Sequence, residues 1–510
     1  MFPKKTEHRQ KRTYTTKHYF QTPYKSGASR HEVPLLLCIT KKNIYSHFAF
    51  KIQALDFTIK RKRLIFASLT NMNTNMEKFL HYVWRHRMFP DSGLRTEEGE
   101  NLDIIDTGLP NMHAGPDFFN AKVKVGGQLW VGNVELHERA SDWYRHRHDT
   151  NAAYDNVVLH VCGTMDHEAR TLSGRLLPQV RLEVPAEVNR RYEELLAEET
   201  YPPCHRAIPH IDTLTAASWL SALTAERLEE KTVRTNAWLE RTGGDWERVF
   251  FITLARSFGF GVNAEAFEQW AAELPLGAVA KHRDDRFQVE AFFLGGAGLL
   301  TDDMVAPERR DNYFIRLQKE YTYLTHKFSL TPMAGTAWRF LRMRPQNFPH
   351  VRLAQLVDLY HSRRLDLSRL LEARKPSDLH ALLSASVTPY WETHYCFGRE
   401  SQRKQKALQA TSIDLLVINA AAPLIFAYGQ THMDEALCER AFELLEHTRA
   451  EKNFITRSWE AAGLKATSAA ESQALIRLRH HYCDRKDCLR CRFGAAYLAG
   501  KRKNHQLSNI

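Results

Sequence analysis

Acidic residues are scarce at the start of this chain, cysteine is sparse throughout, and apolar runs of membrane length are missing. Residues 1–75 hold 3 Asp/Glu against 15 Lys/Arg, a net of +12 that equals the formal charge of all 510 residues. The rest of the chain is therefore balanced, 56 of each sign, which argues against a generally basic nucleic-acid binder. Eight cysteines are too few for a disulfide scaffold and fit a reducing compartment. No run approaches the ~18 apolar residues of a membrane helix; Leu35–Ile39 is short, and Leu415–Tyr428 is interrupted by Pro423. Polar residues come before the first apolar stretch, which argues against a secretory signal. The expectation is a cytoplasmic protein with no membrane contact. What remains, 43% hydrophobic and 25% charged, is the composition of an ordinary globular chain.

Residues 1–75 carry little helical or strand periodicity and read as a basic extension outside the working protein, disordered or not native. At Met76 the pattern changes: in "MEKFLHYVWRHRMF", Phe79, Leu80, Val83 and Trp84 share one helical face. Residues 76–200 read as an α/β domain. "NLDIIDTG", "FFNAKVKV", "QLWVGNVELH", "DNVVLHVC" and "LPQVRLEV" are its strands, and a hairpin turns at Gly126-Gly127. After Pro202-Pro203, residues 205–476 carry apolar positions at three- and four-residue steps, a mainly α-helical domain. Residues 477–510 form a basic tail with a cysteine cluster.

The hairpin carries the most chemistry. With a two-residue turn, Val125 faces Gln128 and Asp117 lies opposite Leu136, beside Glu135; a one-residue adjustment at the turn sets the two carboxylates face to face. Glu135 and His137, two apart on a strand, share a side. Converging carboxylates repel unless a proton or cation intervenes, and Mg²⁺ or Mn²⁺ suits such oxygen ligands. His137 could then orient or deprotonate water. The plain alternative is a polar face whose acids pair with Arg139, Lys122 or Arg145.

An Asp in "PD", followed 18 residues later by Glu-x-His after a glycine turn, resembles the PD-(D/E)XK nuclease fold. The resemblance covers Asp117, Glu135 and His137, with His137 where that fold has Lys. It implies a metal held by Asp117 and Glu135, and Glu77 on the opening helix as a further acid. More broadly, "GPDFFNA", "GNVELH", "SDWYRH", "YDNVVLHV" and "YCDRKDCLRCRFG" resemble the bacterial domain-of-unknown-function family 2851 over roughly Met76 to Gly500.

Histidine is concentrated here too. His113, His137, His146, His148 and His160 fall within 48 residues, more than 25 in 510 would place there. They read either as site groups, including ligands for a softer ion such as Zn²⁺, or as a core His160 with surface neighbours.

Cys483, Cys488 and Cys491 are spaced C-x₄-C-x₂-C, which points to Zn²⁺ or an iron–sulfur cluster such as 4Fe-4S. The fourth ligand is His480, His481 or Cys204, the last stapling the start of the helical part to its end. Cys162, Cys396 and Cys438 read as core. Residues 477–503 carry nine Lys/Arg against Asp484 and Asp487. Arg485, Lys486, Arg490 and Arg492 are thereby candidates for phosphate contact, or for pairing with acidic helices such as "MDEALCERAFELLE".

Three functions are in view: a metal-dependent nuclease on DNA or RNA, an inactive nucleic-acid-binding or scaffold protein on the same fold, and a small-substrate metallohydrolase.

Overall fold

The computed structural model describes residues 76–90, 92–111 and 113–500. The basic extension at 1–75 and Lys501, Arg502 and Lys503 of the charged chain end lie outside them. A mixed six-stranded sheet is followed by a mostly helical part.

Helix α1, residues 76–85, presents Phe79, Leu80, Val83 and Trp84 to the interior as its periodicity requires. Trp84 fixes its end by donating from Nε1 to the Thr107 carbonyl at 3.0 Å. The strands are β1 (Leu102–Asp106), β2 (Leu109–Pro110), β3 (Phe118–Val125), β4 (Gln128–Arg139), β5 (Val157–Thr164) and β6 (Gln179–Arg181). Their order is β1-β3-β4-β5-β6, with β2 paired to β3. The β1–β3 and β3–β4 pairings are antiparallel, whereas β4–β5 and β5–β6 are parallel. The crossover between β4 and β5 runs through a one-turn helix, Asp142–Arg145, and two 3-10 turns. Parallel strands need such a crossover, and it covers one face of the sheet. The first half of β4 consequently alternates in exposure, while Asn133 to His137 and Val157 to Cys162 are buried throughout. Gly132 sits where this crowding is greatest: a Cβ there would meet Val158 Cγ1 at 2.4 Å.

The helical part includes Thr213–Arg241, Trp246–Phe258, Ala264–Glu273, Asn312–Phe328, Pro349–His361 and Glu435–His447. Aspartate starts several of these: Asp212, Asp245, Asp311 and Asp434 each accept an N–H three residues on. One helix ends at His447, and Asn453 caps a new one at Phe454–Ala461. The expected absence of a membrane-length apolar helix is corrected. Ala410–His432 runs unbroken, long and apolar enough to cross a membrane, with 72% of its most apolar window buried inside the protein. Pro423 does not interrupt it. A π-turn, Val417–Ala421, precedes the proline and rearranges the ladder where a donor is missing.

Two large apolar cores result, beside a small one of Trp143, Tyr154, Val157, Ala169 and Leu177. One lies within the helical part, from Leu228 to Ala470. The other joins α1, the sheet, Trp219, Leu220 and Leu223 with Leu475, Cys488, Cys491, Phe493 and Leu498. Residues 477–498 are thus built into the sheet's core instead of forming a tail. The helix Thr213–Arg241 reaches both large cores.

Candidate functional site

The turn at Gly126-Gly127 keeps Val125 opposite Gln128, with both glycines at positive φ, 56° and 90°. The one-residue adjustment lies elsewhere, which corrects the expectation that it falls at the turn. Ala121 pairs with Gly132 but Phe118 pairs with Val134, so an extra residue is absorbed between Phe118 and Ala121. Asn120 takes it up in the left-handed region at φ 56°, as a short polar side chain tolerates. Asp117 thereby arrives opposite Glu135. Its N–H donates to Glu135 Oε2 at 3.1 Å, and its Oδ2 accepts from the Leu136 N–H at 2.9 Å.

Register extends the site across the parallel half of the sheet. Glu135 is paired with His160, His137 with Cys162, and His160 with Gln179. The His137 Nδ1 lies 2.9 Å from His160 Nε2, and its Nε2 lies 3.1 Å from His146 Nδ1. His160 Nδ1 is 3.0 Å from Gln179 Nε2, so the amide donates and fixes that ring. His148 Nε2 approaches Glu135 Oε1 at 3.1 Å, His137 Nε2 the same oxygen at 3.6 Å. Ligand nitrogens of His137, His146 and His148 lie within 4.8 Å of one another. His146 is exposed, and the other two are buried. Tyr154 stacks on His148 at 3.8 Å, and Trp143 packs against His148 and His160.

The structure also adds a residue that sequence reasoning missed. His81 Nε2 sits 3.3 Å from Asp117 Oδ2. It lies one helical turn after Glu77, and that i, i+4 spacing was the available signal. Glu77 is near enough for its carboxyl to be influenced by His81 and Asp117. His113 is not brought into the group: it is exposed in the loop before β3, its N–H bonded to Asn111 Oδ1.

Electrostatics decide what these groups can do. Burial, then the neighbouring Asp117, pushes the Glu135 carboxyl up to about 9. Burial and the surrounding imidazoles hold His137 far below the ordinary histidine range, and burial holds His160 at about 3. His137 is therefore neutral, with both ring nitrogens engaged. It lacks the positive charge of the Lys it replaces, and its ring is held between His160 and His146. Burial alone would depress His81, but its hydrogen bond to Asp117 and the charges of Asp117, Glu77 and Glu135 outweigh this and raise it. Among the described residues, no Lys or Arg pairs with Asp117 or Glu135; Arg145 pairs with Asp142 at 3.1 Å. Buried His148 Nε2 has no hydrogen-bond partner, although it lies 3.1 Å from Glu135 Oε1. Two carboxylates facing each other, with that orphaned nitrogen beside them, fit a bound divalent cation.

The cysteines gather in a second place. Cys204, Cys483, Cys488 and Cys491 line one cavity together with Pro203, Trp459, Tyr482 and Gly494. Burial and the other three thiols push the Cys204 thiol well up. His480 turns to Asp484 and His481 to Glu230, and neither lines the cavity. Cys162 is buried in the sheet, where its Sγ lies 3.3 Å from His160 Nε2. Lys486 is not a free contact group: its Nζ donates to the Glu198 carbonyl at 2.6 Å. Arg477 pairs with Glu226 and Glu230, not with the acidic helix at 433–446. Arg485 and Arg490 are exposed, and Arg492 is exposed while donating to Ser218 Oγ at 2.6 Å.

Residues 77–454 match the family model described as "Protein of unknown function (DUF2851)". The chain belongs to this family. The match spans the carboxylate hairpin, all the clustered histidines and Cys204, and stops before the three clustered cysteines. No curated protein and no solved structure matches.

Proposed function

We propose that this member of the family is a metal-dependent hydrolase of phosphodiester bonds in DNA or RNA, on a PD-(D/E)XK-like core. The observation that carries this reading is the placement of Asp117 across the bulge from Glu135, with Nε2 of His148 3.1 Å from Glu135 Oε1. The order of elements supports it: a helix, antiparallel strands, a crossover and a strand parallel to β4.

Asp117 and Glu135 would hold Mg²⁺ or Mn²⁺; His146 and His148 would suit Mn²⁺ or Zn²⁺ beside Glu135, with His137 Nε2 joining them where the ion replaces its contact to His146. When bound, such an ion lowers the pKa of water and stabilises charge on a phosphoryl oxygen. His160 and Gln179 hold His137 in place. Exposed His146 and half-buried His81 are positioned to take or give a proton. Exposed Arg485, Arg490 and Arg492 are candidates for backbone phosphate contact.

A second reading, a metallohydrolase on a small substrate, is favoured by the nitrogen-rich donor set, which suits Zn²⁺. Cleavage assays with Mg²⁺, Mn²⁺ and Zn²⁺ on single- and double-stranded DNA and RNA separate the possibilities. Metal-dependent cleavage that falls at least about 100-fold in Asp117→Asn supports the nuclease. Metal binding without cleavage favours the small-substrate reading, and nucleic-acid binding without metal dependence favours the inactive scaffold.

A further inference from the structure

The second cluster is independent of the hydrolase reading. We propose that Cys204, Cys483, Cys488 and Cys491 bind a four-iron, four-sulfide cluster that ties the chain's end to the segment following the sheet domain.

All four are free cysteines, and all four line one cavity. They come from two distant stretches, "YPPCHR" and "YCDRKDCLRC", that the fold brings together within the sheet's core. The remaining lining residues are Pro203, Trp459, Tyr482 and Gly494, and no carboxylate or imidazole is among them. Tyr482 directs its hydroxyl away, donating to Glu226 Oε1 at 2.9 Å. A site of four sulfurs in apolar surroundings selects zinc or iron–sulfur chemistry over hard cations.

Spacing separates those two. Zinc holds sulfur at about 2.3 Å in a tetrahedron, which sets the sulfurs about 3.8 Å apart. A cubane, with an iron at each thiolate corner, spans more space than a single ion and suits a cavity lined by four thiols.

Two further features point at the sulfurs. Cys491 is both a cavity residue and the N-cap of the helix Arg492–Ala499, and its sulfur accepts from the N–H groups of Phe493 and Gly494. The Trp219 indole N–H is buried without an oxygen or nitrogen acceptor, and its contact is Cys491. Such N–H donors stabilise an anionic cluster and tune its potential. Gly494 makes the knuckle possible: a Cβ there would lie 2.1 Å from the Cys488 carbonyl oxygen. Binding is ligand exchange with a preformed, thiolate-ligated cluster: four iron–cysteine bonds form as the four bonds to the incoming thiolates break, those thiolates leave as thiols carrying the four cysteine protons, and no oxidation state changes.

The test is anaerobic purification of the full chain, with iron, acid-labile sulfide and zinc counted per chain. The expected result is about four irons and four sulfides, with a broad visible absorption that dithionite bleaches. Cys204→Ser should lower bound iron at least about two-fold, and Cys396→Ser, outside the cavity, should leave it unchanged. One zinc without sulfide, no metal at all, or unchanged iron in Cys204→Ser overturns the proposal. Should Cys204→Ser fail to fold, the wild-type iron, sulfide and zinc counts still decide.

Discussion

Asp117 donates its backbone N–H to Glu135 Oε2 at 3.1 Å, and its own carboxylate receives the N–H of Leu136 at 2.9 Å. The two acids are thus locked face to face by the backbone of the opposing strand, and this depends on one bulge.

Asn120 is where that dependence can be measured. Its left-handed conformation is free for glycine and costs a β-branched residue about 1–2 kcal/mol. Asn120→Gly should keep both melting temperature and metal affinity close to wild type. Asn120→Val should lower stability by about that amount and weaken metal binding, because a straightened β3 returns Asp117 to a place opposite Leu136. Equal metal affinity in the two variants would show that the bulge does not set the site.

The metal-free protein should show an alkaline and an acid limit with different origins. Glu135, at about 9 when folded and 4.5 as its ordinary value, keeps a proton that the unfolded chain releases. Its contribution is complete below the lower value and lost as pH rises toward the higher one, at up to about 1.4 kcal/mol per pH unit. His160, at about 3 when folded against 6.5, works in reverse: its contribution is present above 6.5 and lost as pH falls toward 3. Urea unfolding in chelator at pH 6 and 8 should show wild type losing stability relative to Glu135→Gln. Acid titration should unfold His160→Gln at a lower pH than wild type. A pH-independent gap in the first comparison counts against the buried carboxyl.

Gly494→Ala tests the chain-end knuckle. With the Cys488 carbonyl 2.1 Å from the new Cβ, and backbone as the obstructing group, relief requires Cys488 to move. A loss of about 1–3 kcal/mol in thermal or chemical unfolding is expected, alongside loss of whatever the four cysteines hold. An unchanged unfolding midpoint would mean that the knuckle yields freely.

The basic chain end should divide by role. Lys486, which donates to the Glu198 carbonyl, is a stability residue, so Lys486→Ala should lower the melting temperature. Arg485→Ala and Arg490→Ala should leave folding alone and weaken nucleic-acid binding, each reducing the salt slope by about 1. An unchanged slope in both removes this end of the chain from the interface.

Much of this was legible in the sequence, and the gaps have physical causes. Alternation in "FFNAKVKV" and the Gly126-Gly127 turn place the hairpin, because period-two exposure and positive φ leave clear residue signatures. The bulge left only a faint mark, Phe119 and Asn120 both exposed in succession, which becomes evident once burial is known. His81 was missed because helix periodicity identifies the buried face of α1 but not which sheet residues meet its polar side. Cys204 was reachable through chemistry, since three clustered thiols call for a fourth ligand. The two large cores were not legible, because the chain's return to the sheet is a long-range contact with no local pattern.

The central claim is that the Asp117–Glu135 pair and its histidines form a divalent-metal site. The most direct measurement is Mn²⁺ titration of the chelator-stripped full chain, followed by electron paramagnetic resonance, since Mn²⁺ prefers oxygen and imidazole ligands to thiolates. About one Mn²⁺ per chain is expected, with affinity at least about ten-fold weaker in both Asp117→Asn and His148→Ala. Mn²⁺ affinity unchanged by both substitutions, or no binding to the wild type, would contradict it.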